Sequence, residues 1–155
     1  MKQFVLFFIS LFLLGVGTRS QEMYQKKVFI SSRGDSLNYR LLRPEVEKTG
    51  LQYPLVLFLH GAGERGSDNE KQLTHGGQMF LNPVNREKYP AFVLVPQCPE
   101  KDYWAYTSRP SSFIPSEMPV GQEITPVLRA VKELLDTYLD LPQVDRNRIL
   151  SLIHI

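Results

Sequence analysis

The apolar positions fall into short unbroken runs and one long helical stripe. Residues 54–60 read PLVLFLH and residues 91–96 read AFVLVP. Runs this short, bounded by proline, glycine and polar clusters, predict strands buried on both faces of a sheet. Residues 28–33 and 37–42 flank Gly34, Asp35 and Ser36, and Leu37, Tyr39 and Leu41 alternate onto one face. That pattern predicts an amino-terminal antiparallel hairpin. Residues 122–139 carry Ile124, Val127, Leu128, Val131, Leu134, Leu135 and Tyr138 at helical spacing, with Pro126 early enough to sit in the first turn. Leu141 and Pro142 end that helix, and Arg148 and Ile149 begin another strand. Between the first two buried runs, Ser67 or Asp68 is placed to cap a short helix through Leu73, which His75, Gly76 and Gly77 stop. Strands separated by helices after a hairpin predict an α/β fold with a mixed, mainly parallel sheet and flanking helices.

Outside these elements, residues 97–119 are rich in proline and aromatic side chains and too long for a simple connector, which marks them as functional or mobile. Residues 1–20 have the form of a secretory signal peptide: Lys2, then an apolar run over residues 4–14, then the small residues Gly15, Gly17 and Ser20. The apolar run is shorter than the ~20 residues a spanning helix needs, so export to the periplasm or medium is expected, with no stable membrane anchor after cleavage. The whole chain carries 18 basic and 16 acidic residues. Removing Lys2 and Arg19 leaves 16 of each, and this balance gives no basic surface for nucleic acid. Cys98 is the single cysteine, so an intrachain disulfide is excluded, and a small buried role is its expected one. The three histidines are scattered and have no metal-ligand spacing.

The stretch with most chemical content follows the first buried run. His60, Gly61, Ala62 and Gly63 turn the chain away from a strand's carboxyl end, where ligands of open α/β sheets bind. Glycines at 61, 63 and 66 permit close backbone approaches, so amides here can face a developing oxyanion, the chemistry of acyl transfer. The structural alternative is that the glycines merely turn the chain. Glu64, Arg65 and Asp68 either brace this loop or contact substrate. His75, near a helix end, suits an interaction with terminal carbonyls.

The series LHGAGERGSDNE, QLTHGG, YPAFVLVPQCPE and VDRNRI resembles the front half of a secreted bacterial esterase of the α/β-hydrolase superfamily. The phospholipase/carboxylesterase-like, polyhydroxybutyrate-depolymerase-like and feruloyl-esterase-like groups are the nearest. The resemblance runs over residues 28–149. It implies that Ala62 donates one backbone N–H to the oxyanion hole and that His60, Gly61 and Gly63 support that loop, His60 by hydrogen bonding rather than as general base. Trp104, Tyr103 and Tyr106 are then candidates to line the substrate pocket, with loop packing as their alternative. Neither cofactor nor metal is implied. The expected partner is a small-molecule or polymeric ester.

In this superfamily the serine stands in G-x-S-x-G after the next strand, with acid and histidine later. The sequence contains no G-x-S-x-G. Residues 150–155 read LSLIHI, the translation of a transposon mosaic-end adapter used in sequencing libraries, so they are expected to be an adapter-derived tail; a native apolar strand is the alternative. Residues 21–149 would be the amino-terminal part of an α/β-hydrolase domain, with serine, acid and histidine beyond residue 149. The expectation is therefore an inactive fragment of an exported serine carboxylic-ester hydrolase. A serine peptidase of the prolyl-oligopeptidase type, or a noncatalytic exported module binding carbohydrate or lipid, are the rival readings.

Overall fold

The computed structural model describes residues 23–105 and 123–153. The expected signal segment, Tyr106 and His154 lie outside the described residues. Five strands form one sheet: β1 (Gln25–Ile30), β2 (Ser36–Leu42), β3 (Tyr53–Leu59), β4 (Phe92–Pro96) and β5 (Val144–Ile153), in the order β1-β2-β4-β3-β5. The pairs β1/β2 and β2/β4 are antiparallel, whereas β3 is parallel to both β4 and β5. The described residues also include the α-helices α1 (Pro83–Lys88) and α2 (Pro126–Leu139).

The period of two along β3 divides the core. Leu55, Leu57 and Leu59 join Phe92 and Leu94 beneath Val127, Ala130, Val131 and Leu134 of α2. Val56 and Phe58 project to the other face with Leu42, Leu73, Val93 and Val95. Burying each large aliphatic side chain stabilises by about 1.5–3 kcal/mol, so packing on the sheet, more than intrinsic propensity, holds α2 in place.

The structure departs from the expected elements at several points, the first strand among them, which runs Gln25–Ile30 and not 28–33. The long helix begins at Pro126, not residue 122, because proline disfavours a helical residue before it while its own fixed φ suits the first helical position. Thr125 caps it, its Oγ1 accepting from Leu128 N–H at 3.1 Å, and Ile124 falls outside the helix, exposed. The expected helix through Leu73 is only a 3-10 turn, Lys71–Leu73. Asn69 at φ 55° takes a left-handed conformation that a right-handed helix cannot run through. Helix α1 has no counterpart among the expected elements, although Asn82 followed by Pro83 is a start signal: Asn82 Oδ1 accepts from Val84 and Asn85 N–H.

Strand β5 starts earlier and runs further than Arg148 and Ile149, its apolar residues pairing Val56 with Leu150 and Leu59 with Ile153. Only Val144 of this strand is buried. The pairing register shifts between Tyr53 and Leu55, and Arg148 donates to both Asp145 and the Gln52 carbonyl there.

Candidate active site

The site candidate lies where β3 ends. His60 follows Leu59 and is 1% exposed. Its Nε2 accepts the Cys98 backbone N–H at 2.9 Å. An acceptor at Nε2 places the ring proton on Nδ1, which donates to the Gly61 carbonyl at 2.7 Å. Burial lowers the His60 pKa, and the Gly61 bond opposes that shift only in part. A neutral imidazole with both nitrogens engaged has no free lone pair for a nucleophile's proton. The geometry gives His60 a bracing role.

Gly61, in an extended conformation, leads into a 3-10 turn, Ala62–Glu64, closed by Glu64 N–H on the Gly61 carbonyl at 3.3 Å. The first amides of such a turn have no acceptor inside it, and Ala62 and Gly63 are exposed. His60 orients the Gly61–Ala62 peptide: a trans peptide points its N–H opposite its carbonyl, so pinning Gly61 oxygen directs Ala62 N–H the other way. An amide held in this manner can stabilise negative charge on a bound oxygen without reorganising.

A second loop, residues 97–104, is stitched onto the first. Gly66 N–H donates to the Cys98 carbonyl at 3.0 Å. Trp104 Nε1 donates to the His60 carbonyl at 2.9 Å, and its ring meets the imidazole edge-on with centroids 5.2 Å apart. The hydroxyl of Thr125 in turn donates to the Trp104 carbonyl at 3.1 Å, joining the start of α2 to the loop. Gln97 is buried and reaches three groups: its Oε1 accepts from Asn69 N–H at 2.7 Å, and its Nε2 donates to Asp68 Oδ1 at 2.8 Å and to the Glu64 carbonyl at 3.3 Å. Burial pushes the Asp68 carboxyl up, but bonds from Lys71 N–H, Gln97 and Glu70 N–H outweigh it and hold its pKa at about 2. Asp68 is thus a fixed anion bracing the loop.

The remaining sequence candidates are distributed around this core. The Trp104 indole N–H is taken by the loop and its ring packs partly buried, while Tyr103 is 51% exposed beneath the Arg65 guanidinium at 4.2 Å. Tyr106 is not among the described residues. His75 faces the Glu64 carboxylate, Nε2 to Oε1 3.5 Å, a partner on the glycine loop. Cys98 is buried, and burial pushes its thiol up to about 12, which leaves it a packed, unreactive side chain. Among the described residues no cluster of three or more His, Cys, Asp or Glu is arranged to hold a metal. Gln97 is a site residue that the sequence does not reveal, because a lone glutamine after a strand carries no signal.

An apolar groove of about 650 Å³ lies elsewhere, lined by Leu42, Tyr53, Val56, Phe80, Val93 and Leu150. Tyr53 begins β3 whereas Ala62 follows its end, so this groove is at the opposite end of the strands from the oxyanion candidate. None of the polar residues just described lines it.

Neither a protein-family model nor a curated protein matches the sequence. Among solved structures, the chain is similar to a thermostable esterase with 34% identity and a TM-score of 0.73, over 85% of this chain and 34% of that one. It is also similar to S-formylglutathione hydrolase from Staphylococcus aureus, with 16% identity and a TM-score of 0.53, over 84% of this chain and 46% of that one. The chain thus spans about a third of the esterase's length and under half of the hydrolase's. Its mixed sheet is part of an esterase-like α/β-hydrolase fold.

Proposed function

We propose that this chain is the amino-terminal part of an exported serine carboxylic-ester hydrolase and that it is inactive without the residues that follow. The observation that carries the reading is the Ala62 amide, its peptide held by His60 Nδ1 on the Gly61 carbonyl, at the end of β3 and beside a strand whose Ile149 pairs with Leu55, so that four more residues of native strand would reach Leu59, the residue immediately before His60. A strand-to-helix turn after such a position would present its nucleophile next to Ala62. The similarity to a thermostable esterase favours the same chemistry.

In the proposed reaction the serine oxygen attacks the ester carbonyl, a histidine takes the serine proton and passes it to the leaving alcohol, and an acid orients that histidine. The carbonyl oxygen becomes an oxyanion held by Ala62 N–H and by the amide after the serine. Water then repeats the sequence and releases the acid. Residues 150–155 are read as an adapter-derived tail, of which Leu150, Ser151, Leu152 and Ile153 pair with Val56 to Leu59 where the native strand would run.

The test is the native gene across codon 149. A strand of about four to six residues followed by G-x-S-x-G, roughly ten residues on, is expected. The restored enzyme, assayed on short acyl esters and on peptides, should hydrolyse esters. Native sequence that continues as LSLIHI with no serine elbow overturns the reading, and peptide cleavage without ester cleavage transfers it to a peptidase.

A further inference from the structure

We propose that Arg65 is a positioning residue for the ester hydrolysis proposed above, holding the Ala62 amide in its oxyanion-binding direction from the downstream side. The inference rests on that reading of the site.

Ala62 lies between two glycines, which leave the backbone more torsional freedom than any other neighbours would. Two peptide planes flank its Cα, and both are pinned by side chains. Upstream, His60 Nδ1 holds the Gly61 carbonyl at 2.7 Å. Downstream, Arg65 Nε donates to the Ala62 carbonyl at 2.9 Å. With both planes fixed, rotation about the two backbone bonds of Ala62 is restrained, and its N–H direction is set before any substrate arrives.

The guanidinium is itself held from outside the glycine loop. One Nη donates to the Asp102 carbonyl at 3.2 Å, and the plane lies over the Tyr103 ring with Cζ 4.2 Å from the centroid. Arg65 therefore ties the oxyanion loop to residues 102–103 through three contacts made by one flat group. Lysine has a single rotatable ammonium and cannot donate in two fixed directions while stacked. The pattern explains what a cation does at this position: its partners are two carbonyls and an aromatic face.

The experiment uses the complete enzyme with its native carboxyl half. Arg65→Ala and Arg65→Lys should each lower kcat by on the order of tenfold to a hundredfold, the scale of a misplaced catalytic group, with KM changed less than about twofold. Affinity for a trifluoromethyl ketone, which forms a tetrahedral oxyanion on the serine, should fall by the same factor as kcat. A role in overall stability alone would not move these two together while leaving KM in place. Tyr103→Leu, which removes the stacking but not the Ala62 contact, should give a smaller loss of the same kind and serves if Arg65→Ala does not fold. Wild-type kcat and inhibitor affinity in Arg65→Lys and Tyr103→Leu overturn the assignment. A rise in KM with undiminished inhibitor affinity also overturns it, making Arg65 a substrate contact. Wild-type enzyme without ester turnover removes the underlying reading instead, and is distinguished by that control.

Discussion

His60 Nε2 accepts the Cys98 backbone N–H at 2.9 Å, so the histidine of the glycine loop is fastened to the end of the neighbouring strand, β4. Its other nitrogen holds the Gly61 carbonyl. One neutral ring therefore couples two strand ends to the orientation of one amide. Protonating it would replace the Nε2 lone pair with a donor facing a donor.

The first prediction follows from that conflict. The folded-state pKa of His60 is lowered, so the unfolded chain binds the proton more readily. Stability contributed by neutral His60 is full above about pH 6.5, the ordinary histidine value, and is lost as pH falls through the lower folded value. NMR of the restored enzyme should show His60 titrating below the ordinary histidine value. His60→Ala should cost about 1–3 kcal/mol from the stranded Cys98 amide, before any packing loss. A His60 that titrates at the ordinary value is incompatible with the observed bonds.

Ala62→Pro removes the proposed oxyanion donor. Loss of one such donor costs about 2.7–4 kcal/mol of transition-state stabilisation, and proline adds distortion of the loop. The loss should appear in kcat of the restored enzyme more than in KM. Full turnover in a well-folded Ala62→Pro variant means that Ala62 does not hold the oxyanion.

Much of this arrangement is legible in the sequence, and the residues that are not show why. The buried strands are visible because β3 and β4 are covered on both faces, which leaves unbroken apolar runs. The loop is visible because glycines cluster where the chain leaves β3, although only at Gly66, where a Cβ would lie 3.3 Å from Gln97 Nε2, is the approach close; a Cβ at Gly63 would meet nothing within 4 Å. By contrast, Asn69 ends the expected short helix through a left-handed backbone that nothing in SDNEKQL specifies; its side chain stabilises it by donating to the Lys27 and Tyr39 carbonyls of two other elements. Trp104 reads equally well as pocket lining or loop packing, and only the His60 carbonyl 2.9 Å from its Nε1 shows what its polar edge does. Contacts between segments so far apart in the chain carry no local pattern.

Gly76 gives a prediction confined to stability. It has φ 87°, and a Cβ there would lie 2.7 Å from Cζ of Phe58 in the core. Gly34 also has φ 87° but has nothing within 4 Å of a Cβ position. Gly34→Ala should therefore cost only left-handed backbone strain, about 1–2 kcal/mol, and Gly76→Ala about 1–3 kcal/mol more from overpacking against the ring. Paired urea titrations measure the difference. Equal losses at the two sites would show that Phe58 yields freely and that the glycine serves the turn alone.

The last prediction concerns residues 21–155 expressed by themselves. Strand β5 is the outer strand beside β3, and residues 149, 150, 152 and 153 are exposed isoleucines and leucines along it. An apolar strand with one unpaired edge is a template for pairing with other chains. The groove of about 650 Å³ on the adjoining face adds apolar surface that α2, packed on the other face, does not cover. Both features predict poor solubility and a broad thermal transition, in contrast to the longer chain carrying the native carboxyl half, which should melt cooperatively. Catalysis is expected to be nil, because one aimed amide without a nucleophile or base leaves the ester carbonyl unattacked. Size-exclusion chromatography and calorimetry test the first part, and hydrolysis of short acyl esters by the purified chain tests the second. A monomeric chain with a sharp two-state transition would show that the open edge is tolerated. Reproducible ester turnover would require a nucleophile within residues 21–155 and would overturn the placement of catalysis in the carboxyl half.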